Sequence, residues 1–186
     1  METILNFDTQ LFYFLNLKLQ NHIFDFLMPI LTNLNYWRIP LALAWIGLMI
    51  FGKRKGRVVG VLVIIVVAIG DQVCNQIIKP WVARVRPCNV LEDVRLLINC
   101  TKSYSFPSSH ATNLFSGCIL LSYFYRRLTI VFLTIAFLVS YSRIYVGVHY
   151  PLDVVGGWVL GLVVSLVVII AYKELEKYVL KKKVKI

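Results

Sequence analysis

Two of the three histidines in the sequence lie in short polar blocks, and cations suited to binding phosphate occur in two of the three blocks. The blocks are residues 79–87 (KPWVARVRP), 107–110 (PSSH) and 142–153 (SRIYVGVHYPLD). The chain around them is mostly apolar, and ionisable groups at the ends of apolar spans are costly to keep and usually functional. We therefore treat the blocks as parts of one candidate site, whose chemistry would be the binding and transfer of a phosphoryl group.

The basic residues of these blocks are the first requirement of such chemistry. Negative charge shifts around phosphorus during the reaction, so catalysis needs fixed cations around it. Lys79, Arg86 and Arg143 would supply three cations, of which arginine matches two phosphate oxygens and lysine offers a compact point charge. Lys79 or Arg143 taken singly could instead snorkel at a helix end. Their spacing relative to the other blocks favours phosphate binding.

The second block is typical of a helix N-terminus, because serine caps helices and an apolar run follows it. Free backbone N–H groups at such an end bind anions readily. Ser108 and Ser109, with the amides that follow, are therefore predicted to hold phosphate oxygens. A plain cap would need only the serines, and His110 is the residue that a cap does not explain.

The two histidines are the candidate acid, base and nucleophile. His149 and Asp153 are four positions apart, a spacing that lets the carboxylate fix the tautomer of the imidazole. A neutral His149 nitrogen could attack phosphorus and form a phosphohistidine, while His110 protonates the departing oxygen and later activates water. The alternative is that both histidines are interfacial aromatic residues without chemistry. We predict that His149, His110 and Asp153 are catalytic.

Together, the motifs resemble the signature of the type 2 phosphatidic acid phosphatase superfamily, membrane lipid phosphatases that share it with vanadium haloperoxidases. The matching residues are Lys79, six intervening residues, Arg86 and Pro87; Pro107 to His110; and Ser142-Arg143, five residues, His149, three residues and Asp153. The resemblance implies a six-helix fold, a phosphohistidine on His149, acid and base catalysis by His110, and no metal or other cofactor. It also implies phosphate contacts from Lys79, Arg86, Ser108 and Arg143. Many relatives carry glycine in place of Ser109, so the role of that hydroxyl is open.

The composition indicates an integral membrane protein. Of the 186 residues, 59% are hydrophobic and only 16% are charged, and the mean hydropathy is +0.73. The length suits one membrane-embedded domain over residues 1–186. The net charge of +11 could indicate a nucleic-acid partner, but the basic residues are separated by long apolar segments. We predict a lipid bilayer and a lipid phosphate as partners, without nucleic acid or an obligate protein partner.

The apolar stretches predict an all-α, polytopic bundle of about six transmembrane helices. They cover residues 22–35, 39–52, 58–78, 111–125, 128–145 and 154–172. Some are shorter than the ~20 residues of a typical span, which implies tilt or a thin membrane. The first stretch contains Asp25 and Pro29, which leaves a half-inserted segment open. Residues 1–17 are predicted to form an interfacial amphipathic helix with an apolar face of Ile4, Leu5, Leu11, Phe12 and Leu15.

The positions of the basic residues predict the orientation in the membrane. Twelve of the 20 lysines and arginines lie on one side if there are six spans: Lys53, Arg54, Lys55, Arg57, Arg126, Arg127, Lys173, Lys177, Lys181, Lys182, Lys183 and Lys185. That side should be the cytoplasm. The long loop at residues 80–108 and the turn at 146–152 would then face the periplasm of a bacterial inner membrane. All three polar blocks would meet on that face.

Several further residues could support the site. Asp71, Asn75 and Lys79 are four positions apart and share one helix face, where Asp71 could hold a partner cation, buttress the site or be structural. Arg84 could contact a second headgroup charge or face solvent. Cys88 and Cys100 could form a disulfide if their loop faces an oxidising compartment. Cys74 and Cys118 lie in apolar spans and are predicted to be core residues.

The substrate is the least constrained prediction. In length, and from FDFLMPILTNL to PSSHATN, the chain is most similar to the lipid A 1-phosphatase group, which makes lipid A 1-phosphate the first expectation. Undecaprenyl pyrophosphate and phosphatidylglycerophosphate are alternatives, since phosphatases for both share this layout. A vanadate-dependent haloperoxidase and a non-catalytic membrane protein are remoter alternatives.

Overall fold

A computed structural model describes residues 2–184, and all regular secondary structure in these residues is helical. The helices are α1 (Glu2–Tyr13), α2 (His22–Thr32), α3 (Leu34–Phe51), α4 (Lys53–Val82), α5 (Ser109–Phe124), α6 (Thr129–Tyr145) and α7 (Pro151–Val184). A π-helical segment, Phe14–Lys18, extends α1, and another, Val73–Ile78, interrupts α4. The predicted all-α class is confirmed. Met1, Lys185 and Ile186 lie outside the described residues. The limits of the predicted domain, residues 1 and 186, and one of the twelve basic positions, Lys185, fall on them.

Among residues 2–184, four segments are long and apolar enough to cross a membrane: Leu34–Phe51, Lys53–Val82, Arg126–Tyr145 and Pro151–Val179. Two other predicted spans form shorter helices, since α2 has 11 residues and α5 has 16. A multi-pass membrane protein is therefore supported. The predicted number of six transmembrane helices is not confirmed.

Helix α5 lies at the centre of the bundle and packs against α4, α6 and α7. Small residues of α7 allow the closest approach, because a Cβ on Gly157 would lie 2.8 Å from the Ser108 carbonyl oxygen and one on Gly161 would lie 2.7 Å from that of Thr112. Close backbone approach at small residues is the usual way in which membrane helices associate. Since α5 carries the PSSH block at its N-terminus, this packing fixes the block against the start of α7.

Helix α1 has a docked face and an exposed apolar face. Asp8, Phe12 and Asn16 are four positions apart and are fully buried against the bundle. The Asn16 side chain donates to the Tyr145 carbonyl oxygen (2.7 Å) and accepts from the Arg95 N–H (2.9 Å), which fastens the end of α1 to the rest of the protein. The predicted apolar face is thus only partly docked, because Ile4 is 62% exposed.

The basic inter-helix segments lie at the end of the bundle opposite to the polar blocks. The Lys55 ammonium, from the start of α4, donates to the Phe124 carbonyl oxygen at the end of α5. Arg54 lines a cavity together with Tyr172 and Glu176 of α7. The structure therefore separates these basic segments from the candidate site along the bundle axis.

The loop between α4 and α5 is closed on itself by a disulfide. Cys88 and Cys100 are bonded, with their Cα atoms 6.2 Å apart, and Cys74 and Cys118 are free and buried. The bridge encloses residues 88–100, which begin two positions after Arg86.

We expect that thiol labelling will reveal the bridge directly. Denatured protein that has not been reduced should label at two of its four cysteines, and reduced protein at all four. Replacing both Cys88 and Cys100 by serine should lower the free energy of unfolding by about 3 kcal/mol, because the unfolded chain loses a loop constraint. The Cys118→Ser variant should keep the bridge and lose one label. Four labelled thiols before reduction would contradict the assignment.

Candidate active site

His149 lies in the turn between α6 and α7 and is fully buried. The turn depends on Gly147, whose φ of +88° suits glycine and where a Cβ would lie 2.7 Å from the Arg95 carbonyl oxygen. The imidazole Nδ1 is 3.3 Å from Asp153 Oδ2, and Nε2 is 3.1 Å from Arg86 Nη1. Pro151 begins α7 directly after the turn, and Asp153 in the first turn of this helix lies next to the His149 imidazole.

The Asp153 carboxylate is held on both oxygens. Oδ2 accepts the Tyr150 backbone N–H (2.9 Å) and faces His149, while Oδ1 accepts from Arg84 (2.9 Å). A carboxylate facing Nδ1 favours the tautomer that carries its proton there. The lone pair of Nε2 then points toward Arg86, on the side where a phosphate would be bound. This is the arrangement that a nucleophilic imidazole requires.

The environment of His149 keeps its imidazole neutral. Burial lowers the pKa of His149 well below its usual range, and the nearby charges of Arg143, Arg86 and Lys79 lower it further. A neutral imidazole retains the lone pair needed for attack on phosphorus. The cations that would bind the phosphate therefore also prepare the nucleophile.

Arg86 is held rigidly by the loop and by the turn. Its Nε donates to the Ser103 carbonyl oxygen (2.9 Å), Nη2 to the Ser103 hydroxyl (3.0 Å) and Nη1 to the Val148 carbonyl oxygen (3.1 Å). The same Nη1 faces His149 Nε2. A phosphate entering between Arg86 and His149 would replace only that last contact, so the guanidinium needs no reorganisation to bind it.

Lys79 lies at the end of a polar network that runs along α4 and into α5. Its ammonium donates to the Ser109 hydroxyl (2.7 Å), which donates to Asn75 Oδ1 (2.8 Å). Asp71 Oδ1 accepts from the amides of Asn75 and Asn113, both at 2.9 Å. The hydroxyl of Ser109, which a glycine would lack, thus connects Lys79 to this network. Asp71 contributes to the site through the amides and not through direct contact with Lys79.

Arg143 is the third cation and is held by α2. It is buried in the last turn of α6, and its Nη1 donates to the hydroxyl of buried Thr32. Its Nε is also buried and has no hydrogen-bond partner among the described residues. A buried donor without a partner is costly, and a phosphate oxygen would satisfy it.

The PSSH block forms the N-terminus of α5 as predicted. The Ser108 hydroxyl accepts from the Ala111 N–H (3.5 Å), and the Ser108 N–H donates to the Asp153 carbonyl oxygen (2.9 Å). Ser108 is fully buried, so its side chain serves as the helix cap in this structure. His110 follows in the first turn, only partly buried, within electrostatic reach of His149 and of Arg143.

Asp8 and Thr32 support the site from outside the motifs and were not predicted from the sequence. Asp8 of α1 is 1% exposed, and it accepts from Arg84 Nη2 (2.6 Å) and from the Leu152 N–H (2.9 Å). Arg84 itself is 17% exposed and lies between Asp8 and Asp153. The four-residue spacing of Asp8, Phe12 and Asn16 was the available signal, because it places two polar residues on a face that an apolar residue shares.

The described residues contain no group of three or more histidine, cysteine, aspartate or glutamate side chains placed to hold a metal ion. Catalysis without a metal remains a prediction, which the assay below tests.

A bundle of apolar helices that buries a histidine–aspartate pair beside fixed cations defines a membrane-embedded phosphoryl-transfer protein. The sequence profile described as the PAP2 superfamily matches residues 56–177, and the chain belongs to this family. The resemblance drawn from the three motifs is confirmed. The prediction of a lipid phosphatase enzyme is also confirmed at the level of the family, because the named relatives are phosphatases.

Two curated relatives and one solved structure illustrate the similarity. The lipid A 4'-phosphatase of Bacteroides thetaiotaomicron is 32% identical over 170 residues, covering 87% of this chain and 75% of the relative. The undecaprenyl-diphosphatase of Sulfolobus acidocaldarius is 36% identical over 163 residues, covering 86% and 76%. The crystal structure of Aquifex aeolicus LpxE superposes with a TM-score of 0.73 at 29% identity, covering 87% of this chain and 93% of that one.

We expect the Thr32→Val variant to weaken phosphate binding. The variant keeps the shape of the side chain but removes the acceptor that orients Arg143. A hydrogen bond to a charged group contributes about 1.5–3 kcal/mol, so KM and the inhibition constant for orthovanadate should rise about tenfold or more. The Thr129→Val variant, at the other end of α6, is the matched control and should match wild type. Unchanged inhibition by vanadate in Thr32→Val would show that α2 does not position Arg143.

The pKa of His149 leads to a pH prediction. A protonated imidazole has no free lone pair, so kcat/KM should fall as the pH drops through the pKa of His149, at a pH below the ~6.5 of a free imidazole. The Arg86→Gln variant removes one cation that lowers this pKa. Its acid limb should therefore move to higher pH, and comparison on the same substrate cancels the ionisation of that substrate.

The Arg126→Gln variant at the opposite end of the bundle should leave the profile unchanged. An acid limb of Arg86→Gln that coincides with that of wild type would contradict an imidazole tuned by the phosphate-binding cations.

Proposed function

We propose that the protein hydrolyses a terminal phosphate of a membrane lipid, a monoester or a pyrophosphate, through a phosphohistidine on Nε2 of His149. One observation carries the proposal. His149 is fully buried, with Nδ1 facing the Asp153 carboxylate and Nε2 facing the Arg86 guanidinium. An imidazole packed only for structure would not need a carboxylate on one nitrogen and a phosphate-type cation at the other.

The reaction would proceed in two steps that restore the enzyme. In the first, the Nε2 lone pair forms a bond to phosphorus while the bond from phosphorus to the lipid oxygen breaks, and His110 gives that oxygen its proton. In the second, His110 takes a proton from water, whose oxygen attacks phosphorus and releases phosphate and free His149. Lys79, Arg86 and Arg143 stabilise the charge that develops on the phosphoryl oxygens in both steps. The negative charge of the bound substrate favours the protonated form of His110 that the first step needs.

The placement in the membrane forms part of the proposal. We propose one domain of about six spans in a bacterial inner membrane, with α1 at the interface and the site at the periplasmic face. The basic segments at the other end of the bundle support this orientation, because such residues remain preferentially in the cytoplasm. The Cys88–Cys100 disulfide in the loop between α4 and α5 also supports it, because disulfides persist in oxidising compartments such as the periplasm. Acyl or prenyl chains could then stay in the bilayer while the headgroup enters the site.

We rank lipid A first among the substrates. The similarity in sequence predicted lipid A 1-phosphate, and a relative that aligns with 87% of the chain is named a lipid A 4'-phosphatase. Both point to lipid A and differ only in which phosphate is removed. Undecaprenyl diphosphate is the second candidate, because a relative named for that substrate aligns with 86% of the chain. Phosphatidylglycerophosphate is the third.

A phosphate-release assay on purified protein tests the proposal. Wild type should release phosphate from detergent-dispersed lipid phosphates in the presence of EDTA, and His149→Ala should lose activity because it lacks the nucleophile. Acid-quenched wild type should carry no phosphohistidine, which is acid-labile, whereas alkaline quenching with ³²P-labelled lipid should retain it on His149. His149→Ala should retain none. Wild-type turnover by His149→Ala would refute the mechanism.

The substrate is decided in the same assay by competition. Lipid A, undecaprenyl diphosphate and phosphatidylglycerophosphate are compared at equal surface density. Lipid A should show the highest kcat/KM, and mass spectrometry of its product identifies the phosphate removed. A higher kcat/KM for either competitor would overturn the ranking but leave the phosphatase proposal intact.

A further inference from the structure

Arg84 is constrained on two edges and one face, although nothing in the proposed mechanism requires it. Its Nη1 donates to Asp153 Oδ1 (2.9 Å) and its Nη2 to Asp8 Oδ2 (2.6 Å). Its guanidinium also lies 3.9 Å from the centroid of the Tyr150 ring, a cation–π contact. A guanidinium bound by one carboxylate can pivot on that contact, whereas one bound by two carboxylates and stacked on a ring is fixed in its plane.

The constraint on Arg84 passes directly to the catalytic pair. Arg84 holds one oxygen of Asp153, and the other oxygen faces His149 Nδ1. The angle at which the carboxylate meets the imidazole therefore depends on where Arg84 is held. Arg84 in turn is held by Asp8, a fully buried residue of α1.

Asp8 also holds the helix that carries Asp153. Its Oδ1 accepts the Leu152 N–H (2.9 Å), one of the first amides of α7, which have no partner within the helix. A carboxylate at a helix N-terminus is also favoured by the helix dipole. The two oxygens of Asp8 thus constrain Asp153 in two ways. Oδ2 holds Arg84, which binds the Asp153 side chain, and Oδ1 holds the first turn of α7, which carries Asp153.

We infer that Asp8 of the N-terminal helix is a positioning residue for the phosphoryl-transfer reaction, acting through Arg84 on the Asp153–His149 pair. The inference rests on the proposed function. It gives α1 a role in the chemistry, beyond that of a membrane-surface helix. Asp8 contacts neither the phosphate-binding cations nor His149, so its effect should appear in the rate of transfer and not in phosphate binding.

The test separates rate from binding. Asp8→Asn keeps the shape of the side chain and an acceptor for the Leu152 N–H but removes the charge that holds Arg84. Its kcat should fall about 10- to 100-fold, because a misplacement of about 1 Å in a catalytic group costs that much. KM and the inhibition constant for orthovanadate should stay within about threefold of wild type. Glu2→Gln, an exposed acid on the same helix, is the matched control and should keep wild-type kcat.

A double-mutant cycle distinguishes positioning from general stabilisation of the fold. If Asp8 acts through Arg84, Asp8→Asn combined with Arg84→Gln should have the same kcat as Arg84→Gln alone, since the pathway is already broken. Arg84→Lys offers a second route if Asp8→Asn does not fold. Its single ammonium cannot bridge both carboxylates as the fork does, and it should lose kcat with KM retained.

Each outcome has a separate meaning. Wild-type kcat in Asp8→Asn, or losses that simply multiply in the double variant, would overturn the positioning role while phosphate release by wild type leaves the proposed function standing. If Asp8→Asn does not fold, wild-type kcat in Arg84→Lys would overturn the role in the same way. Absence of phosphate release by wild type would overturn both proposals.

Discussion

The site depends on holding three cations together in a region from which water is largely excluded. Lys79, Arg86 and Arg143 are buried, and each lies within electrostatic reach of the others. Burial of like charges without an anion is unfavourable. In the proposed mechanism a bound phosphate would relieve this repulsion, and would relieve it more as negative charge grows on the phosphoryl oxygens. The repulsion among these buried cations would thus contribute to the affinity for the transition state that the proposed mechanism requires.

Each cation is fixed by a different part of the chain. Arg86 is held by backbone carbonyl oxygens of the loop between α4 and α5 and of the turn before α7. Arg143 is held by the Thr32 hydroxyl of α2, and Lys79 by the Ser109 hydroxyl at the start of α5. Three flexible side chains would lose much conformational entropy on closing around a phosphate. Here the three side chains are already held in the folded protein, so packing away from the site would contribute to the proposed reaction. The central position of α5 matters for the same reason, because α5 is packed against α4, α6 and α7.

The parts of this arrangement that sequence could predict are those encoded by local spacing. The spacing of His149 and Asp153 by one helical turn implied their contact, and the serines before an apolar run implied the cap on α5. Apolar runs gave the positions of the helices, although α4 extends through Val82 and α7 begins at Pro151, before its apolar run. What Thr32 and Asp8 contact could not be predicted in this way. Their contacts with Arg143 and Arg84 join residues 111 and 76 positions apart, and such pairs depend on how the helices pack.

Ser109 shows how a departure from a common pattern can be explained by packing. A glycine at this position would leave its backbone amide in place, but Lys79 would lose its 2.7 Å acceptor and Asn75 would lose the donor to its oxygen. Asp71 accepts from the Asn75 amide, so the Ser109 hydroxyl completes a chain of hydrogen bonds from the Asp71 carboxylate to the Lys79 ammonium. Networks of this kind are worth most when every member is satisfied. In this protein Ser109, Asn75 and Asp71 therefore form one network, and a serine fits at this position because α4 supplies the groups that bind its hydroxyl.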